Sequence, residues 1–216
     1  MNFFDIAKTM NKHILPLGAI EANCVILWND PSAAWIVDPG GDAPRLIAWL
    51  TERGVTPACV MITHGHFDHI NAIGALTEKW PDLPIHLSPG DEVVAFHPQN
   101  AWPPYYTATT RPASLVTDLV DGAEITIGGL TARVLSTPGH TPGGVCFYFE
   151  ADHLLLTGDT LFAGSCGRTD FPGGDRAALA ASLKRLAALP PETDVIAGHG
   201  ETTTIARECA TNPYLR

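Results

Sequence analysis

Residues 61–70 read MITHGHFDHI. An apolar run, Ala58 to Thr63, passes directly into His64, His66, Asp68 and His69. Such a continuous run is expected of a strand buried on both faces. In α/β sheets, chemistry gathers beyond the strand ends. The stretch therefore predicts a covered sheet and a site at its edge. In extended chain His64 and His66 project to the same side. If helical geometry begins early, Asp68 and His69 swing round, and His66 and His69 become neighbours at i, i+3.

Three other places repeat this layout. RVLSTPGH ends an apolar run and presents His140, LLLTGD presents Asp159, and DVIAGH presents His199. Each has a glycine just before the polar residue, which lets the backbone turn and approach closely without a Cβ clash. Five neutral imidazoles and two carboxylates carry a charge of −2. Two divalent cations and a shared hydroxide bring the sum to +1. Seven groups are too many for one tetrahedral zinc. They suit two metals about 3.5 to 4 Å apart. Mixed histidine and carboxylate donors accept zinc, iron or manganese, with zinc the first expectation.

The rest of the chain alternates short apolar runs with amphipathic stretches. Strands are predicted at 24–28, 33–37, 58–63, 84–88 and 194–198, and hairpins at 124–136 around Gly128-Gly129 and at 144–158. Helices are predicted at 43–53, with Asp42 as N-cap and Gly54 as the stop, and at 70–80, 91–96 and 175–190. Leu179, Leu183 and Leu186 share one face of the last. This order fits a mixed α/β fold of two sheets covered by helices, in one domain spanning 1–216. Residues 97–113, HPQNAWPPYYTATTRPA, break the pattern. A loop of that length is either a lid or substrate wall, or a surface loop whose aromatics pack on the body.

The 216 residues are 45% hydrophobic and carry a formal net charge of −10. The acidity disfavours nucleic acid and anionic membrane surfaces as partners. Asp5, Lys8, Asn11 and Lys12 interrupt the start of the chain, which does not read as a signal peptide. Five cysteines without a CxxC pair predict reduced, mostly buried thiols and a cytoplasmic setting. Cys166 reads as structural. His13, His86, His97 and His153 read as surface or core histidines.

At VDPGG (37–41), THGHFDH (63–69), PGHTPGG (138–144), TGDTLF (157–162) and GHG (198–200) the chain closely resembles the metallo-β-lactamase superfamily. The resemblance implies an αββα sandwich with metals at the edge of the two sheets. It implies His64, His66 and His140 around a first metal, Asp68, His69 and His199 around a second, and Asp159 bridging them. It places Asp38 behind the ligands as a support for their loops. True β-lactamases generally lack a histidine after the aspartate, so His69 argues against antibiotic hydrolysis. RNA-processing members usually add domains or a basic surface.

CGRTDFPGGD (166–175) is similar to short bacterial members of the glyoxalase II-like group, the hydroxyacylglutathione hydrolases. The implied activity is hydrolysis of a thioester, S-lactoylglutathione or a related hydroxyacyl thioester, by a hydroxide shared between the metals, with Asp68 orienting it. Arg168, Thr169 and Phe171 stand where lysine and tyrosine usually hold glutathione. Arg168 and Phe171 are thus candidate substrate contacts, and Arg168 equally a partner for Asp170 or Asp175. The resemblance also admits a second activity, a persulfide dioxygenase acting on glutathione persulfide. There one iron would be held by His64, His140 and Asp159.

Overall fold

In a computed structural model that describes residues 10–215, the described chain forms two six-stranded sheets stacked face to face. The first sheet runs in chain order: β1 (Asn11–Leu17), β2 (Ala22–Trp28), β3 (Ala34–Val37), β4 (Pro57–Met61), β5 (Ile85–His86) and β6 (Leu115–Val116). It is antiparallel from β1 to β3 and parallel from β3 to β6. The second contains β7 (Glu124–Ile127), β8 (Leu130–Ser136), β9 (Val145–Phe149) and β10 (Leu154–Gly158). After a small β11 (Leu161–Phe162) and β12 (Ser165–Cys166) hairpin come β13 (Asp194–Ala197) and β14 (Thr203–Thr204), giving the order β14-β13-β10-β9-β8-β7. The helices are α1 (Ala43–Glu52), α2 (Phe67–Ile70), α3 (Ile73–Lys79), α4 (Glu92–Ala95), α5 (Arg176–Leu186) and α6 (Ile205–Thr211).

Strand alternation distributes the apolar side chains among three layers. Cys24, Ile26 and Ile36 face outward onto Leu46, Leu50, Ile73 and Leu76 of α1 and α3. Val25, Leu27, Trp35, Val37 and Met61 face inward and meet Val134, Phe147, Phe149, Leu154 and Leu156 of the other sheet. Leu135, Cys146, Tyr148, Leu155 and Val195, on the far face of that sheet, cover Leu179, Leu183, Leu186 and Ile205 of α5 and α6. The architecture is helix, sheet, sheet, helix, as the resemblance implied. Trp35 joins the layers by stacking edge-on against Phe149 at 5.5 Å and donating Nε1–H to Ile127 O at 2.9 Å.

Several local expectations are corrected. The strand β1 was not anticipated. Pro16 lowers its strand character, but β1 is an edge strand paired only with β2, where a missing N–H is tolerated. Asp42 occupies the N-cap position of α1, as expected, but its side chain makes no capping bond. Its backbone is left-handed (φ 42°, ψ 43°), and its Oδ2 accepts from Gly18 N–H at 3.0 Å instead. The helix at 70–80 shortens to α3, with α2 a separate turn that ends at Ile70, and that at 91–96 shortens to one turn of α4, entered by a 3₁₀ turn at Pro89–Asp91. The strand at 84–88 shrinks to Ile85–His86. The Gly128-Gly129 hairpin is as expected. Both glycines have positive φ (60° and 77°), and Ile127 pairs with Leu130, as a two-residue primed turn requires. Asp5 and Lys8 lie outside the described residues. No described helix is long and apolar enough to cross a membrane.

Candidate metal centre

Four strands, β4, β8, β10 and β13, end at one rim of the sandwich, and each continues into one of the glycine-containing turns noted above. Backbone bonds draw the two sheets together there. Val145 N–H donates to Thr63 O at 2.8 Å, and Asn23 N–H donates to Gly198 O at 2.7 Å. The rim brings all seven sequence-selected residues together, as three overlapping groups: His64, His66 and His140; His64, His69 and Asp159; and Asp68, His69 and His199. Within each group the donor atoms all lie within 4.8 Å of one another.

Two glycines make this convergence sterically possible. A Cβ on Gly198 would overlap Asp159 Oδ1 and stand 2.8 Å from His69 Cε1. Gly158 has φ +47°, and a Cβ there would overlap the Thr63 hydroxyl. The ring arrangement differs in one respect from the i, i+3 expectation. The His69 ring lies against His64, with centroids 4.1 Å apart, whereas His66 meets His140 at 4.6 Å. Extended backbone at His66 (φ −70°, ψ 150°) delays the helix by one residue and turns its ring away from His69.

Four of the five rings are fixed from behind. His64 Nδ1 lies 3.1 Å from Thr63 Oγ1, His69 Nδ1 lies 3.0 Å from Asp38 Oδ2, His140 Nδ1 lies 2.7 Å from Arg168 O, and His199 Nδ1 lies 3.2 Å from Ile20 O. Those four rings turn Nε2 toward the centre. His66 instead turns Nδ1, which lies 2.9 Å from His140 Nε2. Asp38 sits behind His69. Buried and left-handed (φ 51°), it accepts from Thr63 N–H at 2.8 Å and from the Thr63 hydroxyl at 2.6 Å. Locking one ring nitrogen in this way selects which nitrogen remains free to ligate.

Three of the inward atoms lack partners. His64 Nε2, His69 Nε2 and Asp159 Oδ1 are buried and accept or donate no hydrogen bond. His69 Nε2 lies 3.5 Å from both Asp68 Oδ2 and Asp159 Oδ1, and His140 Nε2 lies 3.5 Å from Asp159 Oδ2. A buried polar atom without a partner costs about 1 to 3 kcal/mol. Several of them aimed at one point fit cations at that point. The proton affinities agree. Burial, and then the neighbouring rings, hold His64 well below its ordinary value and His66 down at about 3, so both present neutral lone pairs. Burial opposes a charge on His69, but Asp68, Asp159 and Asp38 outweigh it and raise the ring to about 10. Burial also opposes ionised Asp68, yet His69 and His199 hold its carboxyl down at about 2. This carboxylate-rich half attracts positive charge, and a metal cation satisfies it as a proton does.

The flanking residues divide. Arg168 is committed to Asp170, with two bonds of 2.6 Å, and its guanidinium lies 4.1 Å over the Phe171 ring. Phe171 stacks edge-on against His66 at 5.5 Å. Cys166 is half-buried, and Cys24, Cys59 and Cys146 are buried. His86 pairs with Asp118 at 2.9 Å, away from the centre.

Two residues that organise the site escaped the sequence reading. Asp91, fully buried, accepts from Gly65 N–H at 2.8 Å, the Thr141 hydroxyl at 2.7 Å and Gly143 N–H at 2.6 Å. It thereby ties the loop carrying His64 and His66 to the loop carrying His140. Asn100 donates to Gly65 O at 2.8 Å and Ala95 O at 3.0 Å and accepts from Phe67 N–H at 3.1 Å, anchoring the long loop to the same turn. In the sequence, Asp91 resembles an ordinary helix start and Asn100 an ordinary loop polar residue.

A family model for the metallo-beta-lactamase superfamily matches residues 17–199. The chain is 36% identical over 206 residues to the probable metallo-hydrolase YqgX of Bacillus subtilis, covering 93% of this chain and 95% of that one. It is 35% identical over 209 residues to hydroxyacylglutathione hydrolase GloC of Haemophilus influenzae, covering 95% and 98%. Among solved structures it is similar to BLEG-1 B3 metallo-beta-lactamase (38% identity, TM-score 0.86, 95% and 99% covered). It is also similar to TTHA1623 in a di-iron-bound form (37% identity, TM-score 0.78, 94% and 100% covered). With its αββα layers and its histidine and aspartate clusters of binuclear type, the chain belongs to the metallo-beta-lactamase superfamily, as one of its metal-dependent hydrolases.

Proposed function

We propose that the chain is a thioesterase that hydrolyses S-lactoylglutathione or a related hydroxyacyl thioester with two divalent metal ions. The observation that carries this reading is the completeness of both halves of the centre. His64, His66 and His140 would hold one ion, Asp68, His69 and His199 the other, with Asp159 between them. The similarity to the GloC hydrolase supports the substrate class, and the di-iron form of TTHA1623 supports two ions, with zinc, iron and manganese all compatible with these donors.

Bound divalent cations supply an acidified water and an electrophile for the carbonyl oxygen. The chain's own residues do the positioning. His66 and His64 stay neutral and keep their lone pairs inward. Asp68 remains a carboxylate near neutral pH and can accept a hydrogen bond from the attacking water, fixing its direction. Thr63, Asp38 and the Arg168 carbonyl keep the rings from rotating. A thiolate leaves readily, so no strong general acid is needed opposite the attacking face.

The test is Asp68→Ala assayed on S-lactoylglutathione, with metal content measured in parallel. The reading expects a folded protein whose kcat falls by about a hundredfold or more. Near-native turnover at full metal content refutes it. β-Lactam hydrolysis is the control, given the similarity to BLEG-1. The reading expects the thioester to be the far better substrate.

A further inference from the structure

A cavity of about 570 Å³ opens directly beside His66, lined by Phe67, Val93, Val94, Ala101, Phe171 and Pro172 among others. Its size is that of a small-molecule pocket. Its walls are largely apolar, and none of its lining residues is a lysine or arginine. Val93 projects from α4 into this wall with 77% of its surface exposed. The arginines of neighbouring segments are already neutralised. Arg168 is paired with Asp170, and Arg111 is paired with Glu92 at 2.7 Å. The polar groups that do reach the cavity are side chains such as His97 and Gln99, and Asn100 is spent on backbone. Glutathione carries two carboxylates, and this wall offers no lysine or arginine to pair with them.

Resting on the thioesterase reading, we propose that this cavity is the specificity pocket and takes an apolar group of the thioester, not the charged ends of glutathione. The apolar group belongs either to the acyl side or to the thiol side. Each methylene or ring carbon that enters the cavity strengthens binding.

The experiment measures kcat/KM in two arms with the metal-loaded protein. One arm compares S-mandeloylglutathione with S-lactoylglutathione, varying the acyl group. The other compares the lactoyl thioesters of benzyl mercaptan and N-acetylcysteamine, varying the thiol. A third measurement compares binding of the non-hydrolysable S-hexylglutathione and S-methylglutathione. All are repeated with Val93→Asp, with metal content as the control for an intact centre. The proposal expects at least a tenfold preference for the apolar member in one kinetic arm, which identifies the source, and in the binding comparison. It expects Val93→Asp to bring those ratios close to one. Ratios below threefold in every comparison, or ratios that Val93→Asp leaves unchanged, overturn it. If no thioester turns over but S-hexylglutathione still binds tenfold tighter in a Val93-dependent way, the pocket stands and the thioesterase reading falls.

Discussion

Replacing Gly198 by alanine adds one methyl group to the centre of the site and nothing else. Gly198 lies outside the left-handed backbone region, so alanine is compatible with its conformation. The new Cβ would overlap Asp159 Oδ1, stand 2.8 Å from His69 Cε1 and crowd the Gly158 carbonyl carbon at 3.0 Å. In the metal-free protein the Asp159 side chain can swing aside, and overpacking of this size costs about 1 to 2 kcal/mol. On the proposed ligation, Asp159 in the metal-loaded protein cannot swing without giving up its ligand position. Displacing such a group weakens metal affinity by about 100-fold, at the upper end for disturbed ligand shells. At saturating metal, that loss removes about 2.7 kcal/mol of linked stabilisation. For a chain of this length each kcal/mol shifts Tm by about 2 to 4 °C. The metal-induced rise in Tm should therefore shrink by about 5 to 11 °C in Gly198→Ala, beyond any drop in the metal-free melt. Differential scanning calorimetry with and without metal, together with a competitive metal titration, measures both quantities. A variant that keeps native metal affinity and the full metal-induced rise refutes the placement of Asp159 in the centre.

Asp91→Ala leaves Gly65 N–H, Gly143 N–H and the Thr141 hydroxyl without their acceptor. It should cost about 2 to 4 kcal/mol in urea unfolding of the metal-free protein and lower metal affinity at His64, His66 and His140. Burial pushes Glu208 up, but the Thr203 hydroxyl, Gly164 N–H and Asn212 amide outweigh it and hold the carboxyl below its ordinary 4.5. Because its folded value is depressed, its contribution is complete above 4.5 and is lost as pH falls through the folded value. Glu208→Gln should therefore unfold earlier than the native chain at pH 7, and the gap should close as pH is lowered toward 3, read by urea midpoints.

The candidate metal cluster was legible because ligation would need particular atoms at fixed places. THGHFDH, PGH, TGD and AGH each announce themselves at the end of an apolar run, and all seven side chains converge. The three-layer core was legible for the same reason. Alternation in CVILW and AWIV assigns one face to helices and the other to the second sheet. What escaped were residues whose role depends on partners distant in sequence. Asp91 is 50 residues from Thr141, and nothing local to it marks the bond. Asp42 has the identity of an N-cap, yet the left-handed backbone after the Gly40-Gly41 pair sends its carboxylate to Gly18. The long loop packs an aromatic on the body, as one of its two readings held: Tyr106 is buried against Phe67 and its hydroxyl accepts from Ile20 N–H at 3.2 Å, while His97, Gln99, Asn100 and Ala101 line the cavity.

The central claim is a two-metal thioesterase. Metal stoichiometry measured on the same preparation that is assayed for S-lactoylglutathione hydrolysis tests it most directly. The account predicts about two divalent ions per chain, with turnover that disappears on chelation and returns in proportion to the second ion restored. A single iron per chain, with oxygen uptake on glutathione persulfide and no thioester hydrolysis, contradicts it.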